Sequence, residues 1–373
     1  MIIDSHTYCF KSANDSYGYK NQSEHIAWIQ QANAQHHQPA IKISDRNPEE
    51  NNGLSLKENK LSNLSKVNFR IDNYAGRVLW DFNNETFTKY YYPPNLINLE
   101  FSPSSLISEM DYAGIDIAVL HTNPSLGKSN QYQSECTKLF PNRLLSMAAV
   151  DEWLIENQTE KIIEQTIHSI KNLNLHAIKF NPLSYLNSNS PWSSGNFIPF
   201  WDEITKLNVP IFFTIGTGPN FDSQNQNSLK GYLNELEILI TWMNKYPNTK
   251  CTITHGFPWR LLIDKNGIQL PKELWEPFQN PLLNMEVCFP VRIGDLIDYP
   301  YKEIWPTLTE LINKIGSDRL HFGTDMPFQN RFCTYTQSKK WIEIHYKDFT
   351  GMSEHDLKMI MGGTAKKLLN VKS

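Results

Sequence analysis

The sequence lacks any surplus of positive charge. Its 35 Lys and Arg residues are outnumbered by 39 Asp and Glu residues, which gives a formal net charge of -4 at pH 7. Proteins that bind nucleic acid or an anionic membrane surface rely on an excess or a cluster of basic side chains. The composition therefore argues against nucleic acid and membrane as partners, and it leaves a small molecule as the expected ligand.

Long hydrophobic runs are also missing. The longest, such as Val209–Phe213, fall far short of the roughly 20 apolar residues that a membrane-spanning helix needs. The first residues, Met1–Asp4, have neither the basic stretch nor the apolar core of a signal peptide. We therefore expect a cytoplasmic protein.

Cysteine is scarce and dispersed. The chain has five, and no two of them stand in the C-x-x-C spacing: Cys9, Cys136, Cys251, Cys288 and Cys333. This distribution disfavours both a disulfide framework and a zinc site built from thiolates. The cysteines within apolar runs are expected to pack in the core.

What the sequence does contain is a series of short apolar runs that end in polar residues. Eight such runs occur: Ile2–Tyr8, Ile115–His121, Arg143–Asp151, His176–Pro182, Pro210–Gly216, Lys250–Gly256, Leu283–Phe289 and Leu320–Met326. Amphipathic segments lie between them, for example Leu229–Tyr246, whose apolar residues follow helical spacing. Alternating strands and helices in this number predict an α/β fold, a (β/α)8 barrel of the TIM type.

The interval between the first and second runs is far longer than a single helix requires. Its residues 36–66 are polar, as expected of a mobile surface excursion. Three segments that follow, Val67–Ile71, Gly76–Trp80 and Phe87–Pro93, alternate apolar with polar residues around Asn and Gly turn signals. They predict a β-rich lid.

We place this insertion at residues 21–99, between strand one and the first barrel helix. The barrel itself is then formed by residues 1–20 and 100–373. The barrel helix is predicted to begin after Ser102, an N-cap residue followed by proline. Because the insertion follows the C-terminal end of a strand, we expect it to cover the mouth of the barrel.

Polar side chains stand where the predicted strands end. In a barrel these ends surround one cavity, so residues distant in sequence become neighbours. The candidates are His6 and Tyr8 on strand one, His121 on strand two, Lys179 on strand four, Thr214 on strand five, His255 on strand six, Glu286 on strand seven and Asp325 on strand eight. Imidazoles, a phenol and carboxylates that converge on one point can transfer protons, as hydrolases and lyases require.

Three arginines follow the last strands: Arg260, Arg292 and Arg331. A guanidinium binds a carboxylate through two parallel hydrogen bonds, so each is either a substrate contact or part of an ion pair within a loop. Thr214 is a further candidate for substrate binding. Lys179 is either another such contact or an ion-pair partner inside the barrel. By contrast, His321 is expected to point outward, into the helix layer.

Several segments of the chain are distinctive and occur in a fixed order. They are IIDSHTY, LISEMDYAGIDIAVL, PNRLLSMAAVDE, HAIKFNP, FWDEITKLNVPIFFTIG, TITHGFPW, IGSDRLHFGTDMPF and IMGGTAKKLLN. Together they resemble the amidohydrolase-related branch of the amidohydrolase superfamily, and the G-T-D-x-P motif is the most diagnostic of them. That branch contains metal-dependent decarboxylases and hydrolases, so the resemblance implies a barrel enzyme of one of these kinds.

The resemblance assigns roles only where residues match. His6 corresponds to the first histidine of the family's D-x-H-x-H metal motif, His255 to a histidine that binds metal or transfers protons, and Asp325 to the strand-eight aspartate. These three could supply the ligands of a catalytic zinc. However, Tyr8 replaces the second histidine of the motif, and Thr214 replaces the histidine that usually ends strand five. The replacements slightly favour a metal-free site, with one divalent metal, zinc first, as the alternative.

The sequence therefore predicts a small-molecule hydrolase of amidohydrolase type that cleaves a C–N or C–O bond in a carboxylated or cyclic substrate. Asp325 and His255 are the expected acid–base pair, assisted by His6 and Tyr8. One alternative is a decarboxylase of an unsaturated or aromatic acid. Another is a catalytically inactive barrel that binds a ligand or a protein. A homodimer is a further possibility that the sequence leaves open.

Overall fold

Parallel strands form the central sheet of the protein. The computed structural model describes residues 1–56, 61–182, 190–218 and 224–372. The strands of these residues are β1 (Ile3–Tyr8), β2 (Ile41–Lys42), β3 (Arg70–Ile71), β4 (Val78–Phe82), β5 (Glu85–Thr88), β6 (Ile117–His121), β7 (Leu144–Ala149), β8 (Ala177–Phe180), β9 (Ile211–Phe213), β10 (Cys251–Ile253), β11 (Ile263–Asp264), β12 (Gly267–Ile268), β13 (Leu283–Val287) and β14 (Leu320–Phe322).

Helices alternate with the strands. Those of the described residues are α1 (Gln22–Gln35), α2 (Pro103–Ala113), α3 (Asn130–Leu139), α4 (Thr159–Lys171), α5 (Ile198–Ile204), α6 (Leu229–Lys245), α7 (Trp259–Leu262), α8 (Pro290–Ile293), α9 (Trp305–Ile315), α10 (Tyr335–Asp348), α11 (Glu354–Lys358) and α12 (Thr364–Leu368). The predicted start of α2 after Ser102 is confirmed, and the amphipathic segment Leu229–Tyr246 contains α6. Ser102 caps α2 by accepting from the Ser105 amide, and Ser228 caps α6 in the same way.

The central sheet has eight strands in the order β1, β6, β7, β8, β9, β10, β13, β14. All its pairings are parallel. Its two edges meet where the Tyr8 amide donates to the Met326 carbonyl (2.9 Å), so the sheet curves into a nearly closed barrel. Each of the eight predicted runs contains one of these strands, and the TIM-type barrel is confirmed. The strands read as apolar runs because side chains on both faces are buried.

A second sheet lies between β1 and β6 in the sequence. It is antiparallel, with the strand order β2, β5, β4, β3. Asn83 and Asn84, both with positive φ (51° and 62°), form the turn between β4 and β5. Trp80 is fully buried between Phe69 and Phe87 and forms the centre of this unit. A β-rich segment therefore follows β1, whereas its boundaries at 21–99 and its action as a lid stay predictions.

Two local features of this region differ from the expectation. Helix α1 was not predicted, because its apolar residues do not follow a clear helical period; the available signal was Asn21, whose side chain caps the helix by accepting from the Glu24 amide. Strand β2 lies within the polar residues 36–66, where it pairs with β5. Residues 57–60 of that stretch lie outside the described residues. Pairing with β5 thus stabilises the extended backbone of β2, which the polar composition of residues 36–66 does not predict.

The described residues also bear on membrane-spanning helices and on the state of the cysteines. None of their helices combines the length and the hydrophobicity that a bilayer span requires. All five cysteines are buried and unlinked, as a packing role predicts.

Asp4 ties the first and last barrel strands together. Its carboxylate is fully buried and accepts hydrogen bonds from the His6 amide (3.0 Å) and from the amide and hydroxyl of Thr324 (3.1 and 2.5 Å). The phenol of Tyr335, on α10, donates to it as well (2.7 Å). A structural role for Asp4 follows from these four contacts, because all of them are to groups that would otherwise be buried without a partner.

We predict that Asp4→Ala lowers the free energy of unfolding by about 3 kcal/mol or more, since it strands several buried donors at once. Urea unfolding followed by fluorescence measures the change. Asp348→Ala, at an exposed position on α10, is the matched control and should leave stability nearly unchanged. Equal effects of the two substitutions would contradict the role assigned to Asp4.

Candidate active site

The C-terminal ends of four barrel strands bring the principal candidates together. His6 and Tyr8 lie on β1, and Glu286 lies on β13. His255 and Asp325 follow β10 and β14 within three residues. All five side chains are buried or nearly so, and hydrogen bonds join them into one network. The expectation that residues from distant parts of the sequence converge at one end of the barrel holds for this set.

Glu286 is at the centre of the network. One of its oxygens, Oε2, accepts from His6 Nδ1 (2.7 Å) and from the backbone amide of His255 (2.8 Å). The other, Oε1, lies 3.7 Å from His121 Nε2 and has no hydrogen-bond partner among the described residues. Complete burial raises the pKa of this carboxyl group. Glu286 therefore fixes both the ring of His6 and the backbone that carries His255.

His6 points its second ring nitrogen toward Tyr8 and Asp325. Its Nε2 atom lies 2.9 Å from the Tyr8 hydroxyl and 3.2 Å from Asp325 Oδ1. The ring stacks on His121 with 3.6 Å between centroids, and His121 Nε2 donates to the Ser5 carbonyl (2.8 Å). Burial lowers the pKa of His6 to about 3, so the imidazole is neutral at pH 7. His121 thus supports His6 from behind rather than facing the cavity.

Asp325 and His255 form a second acid–base pair, with 3.2 Å between Oδ1 and Nε2. Burial lowers the pKa of His255 to about 4. Burial also acts to raise the pKa of Asp325, but the hydrogen bond from His255 and the positive charges near it outweigh this effect and lower that pKa below its usual range. At neutral pH the pair is therefore a carboxylate beside a neutral imidazole.

The backbone at both residues is in a conformation that side chains rarely adopt. His255 has φ 63° and Asp325 has φ 65°, in the left-handed region that favours glycine. Each such residue costs on the order of 1 kcal/mol or more, and such costs cluster at functional sites. Here the strained backbone turns both side chains back over the end of the barrel.

Three donor atoms face one another at this point: His6 Nε2, His255 Nε2 and Asp325 Oδ1. All lie within 4.8 Å of one another, which suits three ligands of a small divalent ion. When His6 Nδ1 donates to Glu286, its Nε2 carries a lone pair that faces the Asp325 carboxylate. The Tyr8 hydroxyl, 2.9 Å away, can donate to this lone pair, and a cation between His6 Nε2 and Asp325 Oδ1 would be bound by both atoms. The residues present therefore fit a divalent metal.

The network opens into a cavity of about 210 Å³, which we call the inner compartment. This is smaller than the sites that hold drug-sized ligands, so the group bound there is small. It is lined by Tyr8, His36, His37, Tyr91, Thr122, Asn123, Lys179, Asn181, Thr214, His255, Val291, Arg292, Asp325, Phe328 and Arg331. Its lining joins the acid–base pair to cationic and aromatic side chains.

Two of the three predicted arginines line this compartment. Arg331 lies 5.8 Å from the Tyr91 ring centre and donates to the Phe328 carbonyl (2.9 Å), which holds its guanidinium at the cavity wall. Arg292 also lines the wall. Arg260 does not: it forms an ion pair with Asp295 and donates to the Arg292 carbonyl. Of the two roles considered for Arg260, the structure places it in the loop ion pair.

Other predicted residues occupy the cavity floor. Lys179 is buried, donates to the Thr254 hydroxyl (3.2 Å) and has its pKa lowered to about 8 by burial. Thr214 bonds to the same hydroxyl (2.8 Å). His321, in contrast, was expected to face the helices and does not. It lies inside the barrel, where its ring nitrogens bond to the hydroxyls of Ser5 and Thr252 (2.7 Å each).

The insertion supplies three residues of the inner compartment that sequence reasoning did not assign to it. His36 and His37 follow α1, and Tyr91 follows β5. The His36 and Tyr91 rings stack with 4.2 Å between centroids, and Tyr91 also stacks on Phe328. His36 and His37 belong to no recognisable sequence motif. Only the fold brings them to the barrel.

Comparison with known proteins identifies the relatives of this chain. The sequence profile described as Amidohydrolase matches residues 93–371, which leaves β1 and all but the last residues of the insertion outside the matched span. A curated relative, gamma-resorcylate decarboxylase of Polaromonas sp. strain JS666, is 22% identical over 279 residues, or 67% of this chain and 77% of the relative.

Solved structures share the fold at low sequence identity. A dihydroxybenzoic acid decarboxylase of Polaromonas sp. JS666, with bound manganese and the inhibitor 2-nitroresorcinol, superimposes with a TM-score of 0.51 and 21% identity, over 71% of this chain and 85% of that one. A probable 2-pyrone-4,6-dicarboxylic acid hydrolase of Acinetobacter baumannii, with citric acid bound, gives a TM-score of 0.52 and 17% identity, over 75% and 91% of the two chains.

We predict that Glu286→Ala destabilises the protein by about 2–4 kcal/mol, because it leaves the His6 Nδ1–H and the His255 amide buried without an acceptor. Glu286→Gln is the matched control. It keeps one oxygen acceptor and should cost less than half as much. Chemical unfolding of the two variants measures the difference. If both variants lost the same stability, the acceptor role of Glu286 would be refuted.

Proposed function

The chain belongs to the amidohydrolase family, and from its site we propose that it hydrolyses a small carboxylated substrate at a C–N or C–O bond. One observation carries this proposal. The Asp325 carboxylate stands 3.2 Å from the neutral imidazole of His255, at the wall of a small cavity that two arginines also line. A base, a proton carrier and an anion-binding group are thus within reach of one bound molecule.

Asp325 is the base of the proposed reaction. Its lowered pKa keeps it ionised at neutral pH, so it can accept a proton from water in the inner compartment. The water oxygen bonds to the carbonyl carbon, and the C–N or C–O bond breaks. The proton then passes, directly or by way of His255, to the departing nitrogen or oxygen. The protein thereby returns to its starting protonation state.

Tyr8 and His6 complete the surroundings of the reacting carbonyl. The Tyr8 hydroxyl is fixed by His6 Nε2 (2.9 Å), and burial raises its pKa well above the usual value, so it stays protonated. Because the phenol has a single proton, its hydroxyl would turn away from His6 to donate a hydrogen bond to the oxyanion that forms when water adds. The substrate carboxylate would bind Arg292 or Arg331, because each guanidinium lines the same compartment.

As the alternative to a metal-free reaction in which Asp325 and His255 move the proton themselves, we propose that His6, His255 and Asp325 hold one divalent metal. Their three donor atoms have the spacing and chemistry of a catalytic site with an open position. A metal held there would lower the pKa of bound water and polarise the carbonyl. Manganese in the relative from Polaromonas supports metal binding, whereas the replacement of a motif histidine by Tyr8 favours the metal-free reading. Elemental analysis distinguishes zinc from manganese at this site.

Decarboxylation is the second candidate function. It is favoured by the curated relative and by the manganese-containing structure, both of which carry decarboxylase names. The same residues suit it, because a proton must be delivered to the carbon that loses CO2. In that reaction Asp325 and His255 would deliver a proton to the substrate carbon, whereas in hydrolysis they remove one from water.

We predict that Asp325→Asn lowers kcat/KM by about a hundredfold or more, since the amide cannot accept the proton. Activity is found first by screening lactones, amides, esters and aromatic acids, with separate detection of acid release and of CO2. Asp348→Asn, remote from the site on α10, is the matched control and should keep the wild-type rate. An unchanged rate for Asp325→Asn would remove this carboxylate from the mechanism.

The screen also separates the candidate functions. Acid released together with an amine or alcohol supports hydrolysis, and CO2 as the sole cleaved fragment supports decarboxylation. Protein that turns over nothing but copurifies with a stoichiometric ligand or protein would support the inactive binding barrel instead.

For the metal, we expect elemental analysis of protein purified without chelator to find about one divalent ion per chain, and His6→Ala to find far less. Chelation should abolish activity, and added Mn²⁺ or Zn²⁺ should restore it. Tyr8→His restores the motif residue and should bind the ion more tightly than wild type, whereas Tyr8→Phe should not. Metal far below stoichiometry together with full activity in chelator would establish the metal-free reading.

A further inference from the structure

A second and larger cavity adjoins the inner compartment. Its volume is about 470 Å³, more than twice the 210 Å³ of the inner one, and we call it the outer compartment. The two share three lining residues, Thr214, His255 and Arg292. His255, one member of the acid–base pair, therefore lies at the junction of the two spaces, with Asp325 on the inner side.

The insertion and the barrel each supply a wall of the outer compartment. Ala34 and Gln35, at the C-terminal end of α1, form one side. Thr217 and Asn227, in the loop between β9 and α6, and Phe257, after β10, lie on the barrel side. Among the described lining residues there is no Asp, Glu or Lys, and the cation Arg292 stands at the junction. Amide and hydroxyl groups beside an aromatic ring suit a neutral ligand that forms hydrogen bonds.

The end of α1 is firmly held against this compartment. Lys89 is buried, and its ammonium donates to the carbonyls of Asn33 (2.6 Å) and His36 (2.8 Å) at the C-terminus of the helix. A cation there satisfies carbonyls that the helix leaves unpaired, and it interacts favourably with the helix dipole. Trp28 of the same helix packs on Trp153 with 4.6 Å between ring centres. The wall is thus a fixed part of the structure.

We propose that the substrate has two parts, a small carboxylated acyl group in the inner compartment and a neutral, hydroxyl- or amide-bearing leaving group in the outer one. This inference rests on the proposed hydrolysis. The scissile C–N or C–O bond then crosses the junction at His255. Water adds to the acyl carbon, the bond breaks, and the leaving amine or alcohol departs into the outer compartment with the proton. Decarboxylation releases only CO2 and therefore requires no pocket for a leaving amine or alcohol.

The experiment uses a set of conjugates in which only the leaving group changes. Small carboxylated ring acids with one further carboxyl group are coupled through an amide to ammonia, to serinol or to ethylenediamine, and the matching esters carry methanol or glycerol. We expect wild-type kcat/KM to be about tenfold or more higher for the serinol and glycerol conjugates than for the others, as contacts in a second pocket typically contribute.

The matched variants fill the outer compartment from the side of the insertion. Ala34→Phe should lower the ratio of kcat/KM between the serinol and ammonia conjugates by about tenfold or more. Ala34→Leu should lower it by a smaller factor, which preserves the test if the larger side chain prevents folding. Ser23→Phe places the same side chain at an exposed position of the same helix and should keep the wild-type ratio.

Each outcome decides the matter. A ratio near one in the wild type, or a ratio that Ala34→Phe and Ala34→Leu leave unchanged, overturns the two-part substrate while hydrolysis stands. CO2 release from acids without hydrolysis of any conjugate overturns both the inference and the proposed hydrolysis. A ratio that falls in step with the size of residue 34, and not with Ser23→Phe, supports the assignment of the outer compartment.

Discussion

The hydrogen bonds of Glu286 are the constraint on which the site depends. A single buried oxygen holds the His6 ring and the backbone of His255, whose rings lie 4.4 Å apart. This arrangement explains why His6 points Nε2 toward Asp325, and why Asp325 finds both imidazoles within 3.2 Å. Because the oxygen is fully desolvated, its hydrogen bonds are strong, and the loss of either would leave a buried group without a partner.

The barrel supplies the precision that this network requires. Asp4 and the pairing of Tyr8 with Met326 join the first and last strands beside the site, so β1 cannot shift relative to the loop that carries Asp325. The strained backbone of His255 and Asp325 is tolerated because these contacts determine it from several sides. The contacts that close the barrel therefore also fix the positions of Asp325 and His255.

The insertion contributes residues to both cavities of this barrel. The family profile begins near its end, at residue 93, yet His36 and Tyr91 line the inner compartment and α1 bounds the outer one. The matched part of the chain thus carries Asp325 and His255, while residues of the insertion outside the match shape the space around the ligand. Such a division is usual in TIM-type barrels, where a constant set of strand ends is combined with variable loops.

The sequence by itself determined the eight barrel strands and the convergence of His6, His255 and Asp325, because runs of apolar residues fix parallel strands and the C-terminal ends of such strands always meet. Only the tertiary structure decided the rest. His321 faces the barrel interior because its strand pairs in register with Glu286, and a three-residue strand contains too little alternation to reveal this. His36 reaches the cavity because α1 folds back across the barrel. Such long-range placement depends on packing between segments distant in sequence, which no local pattern encodes.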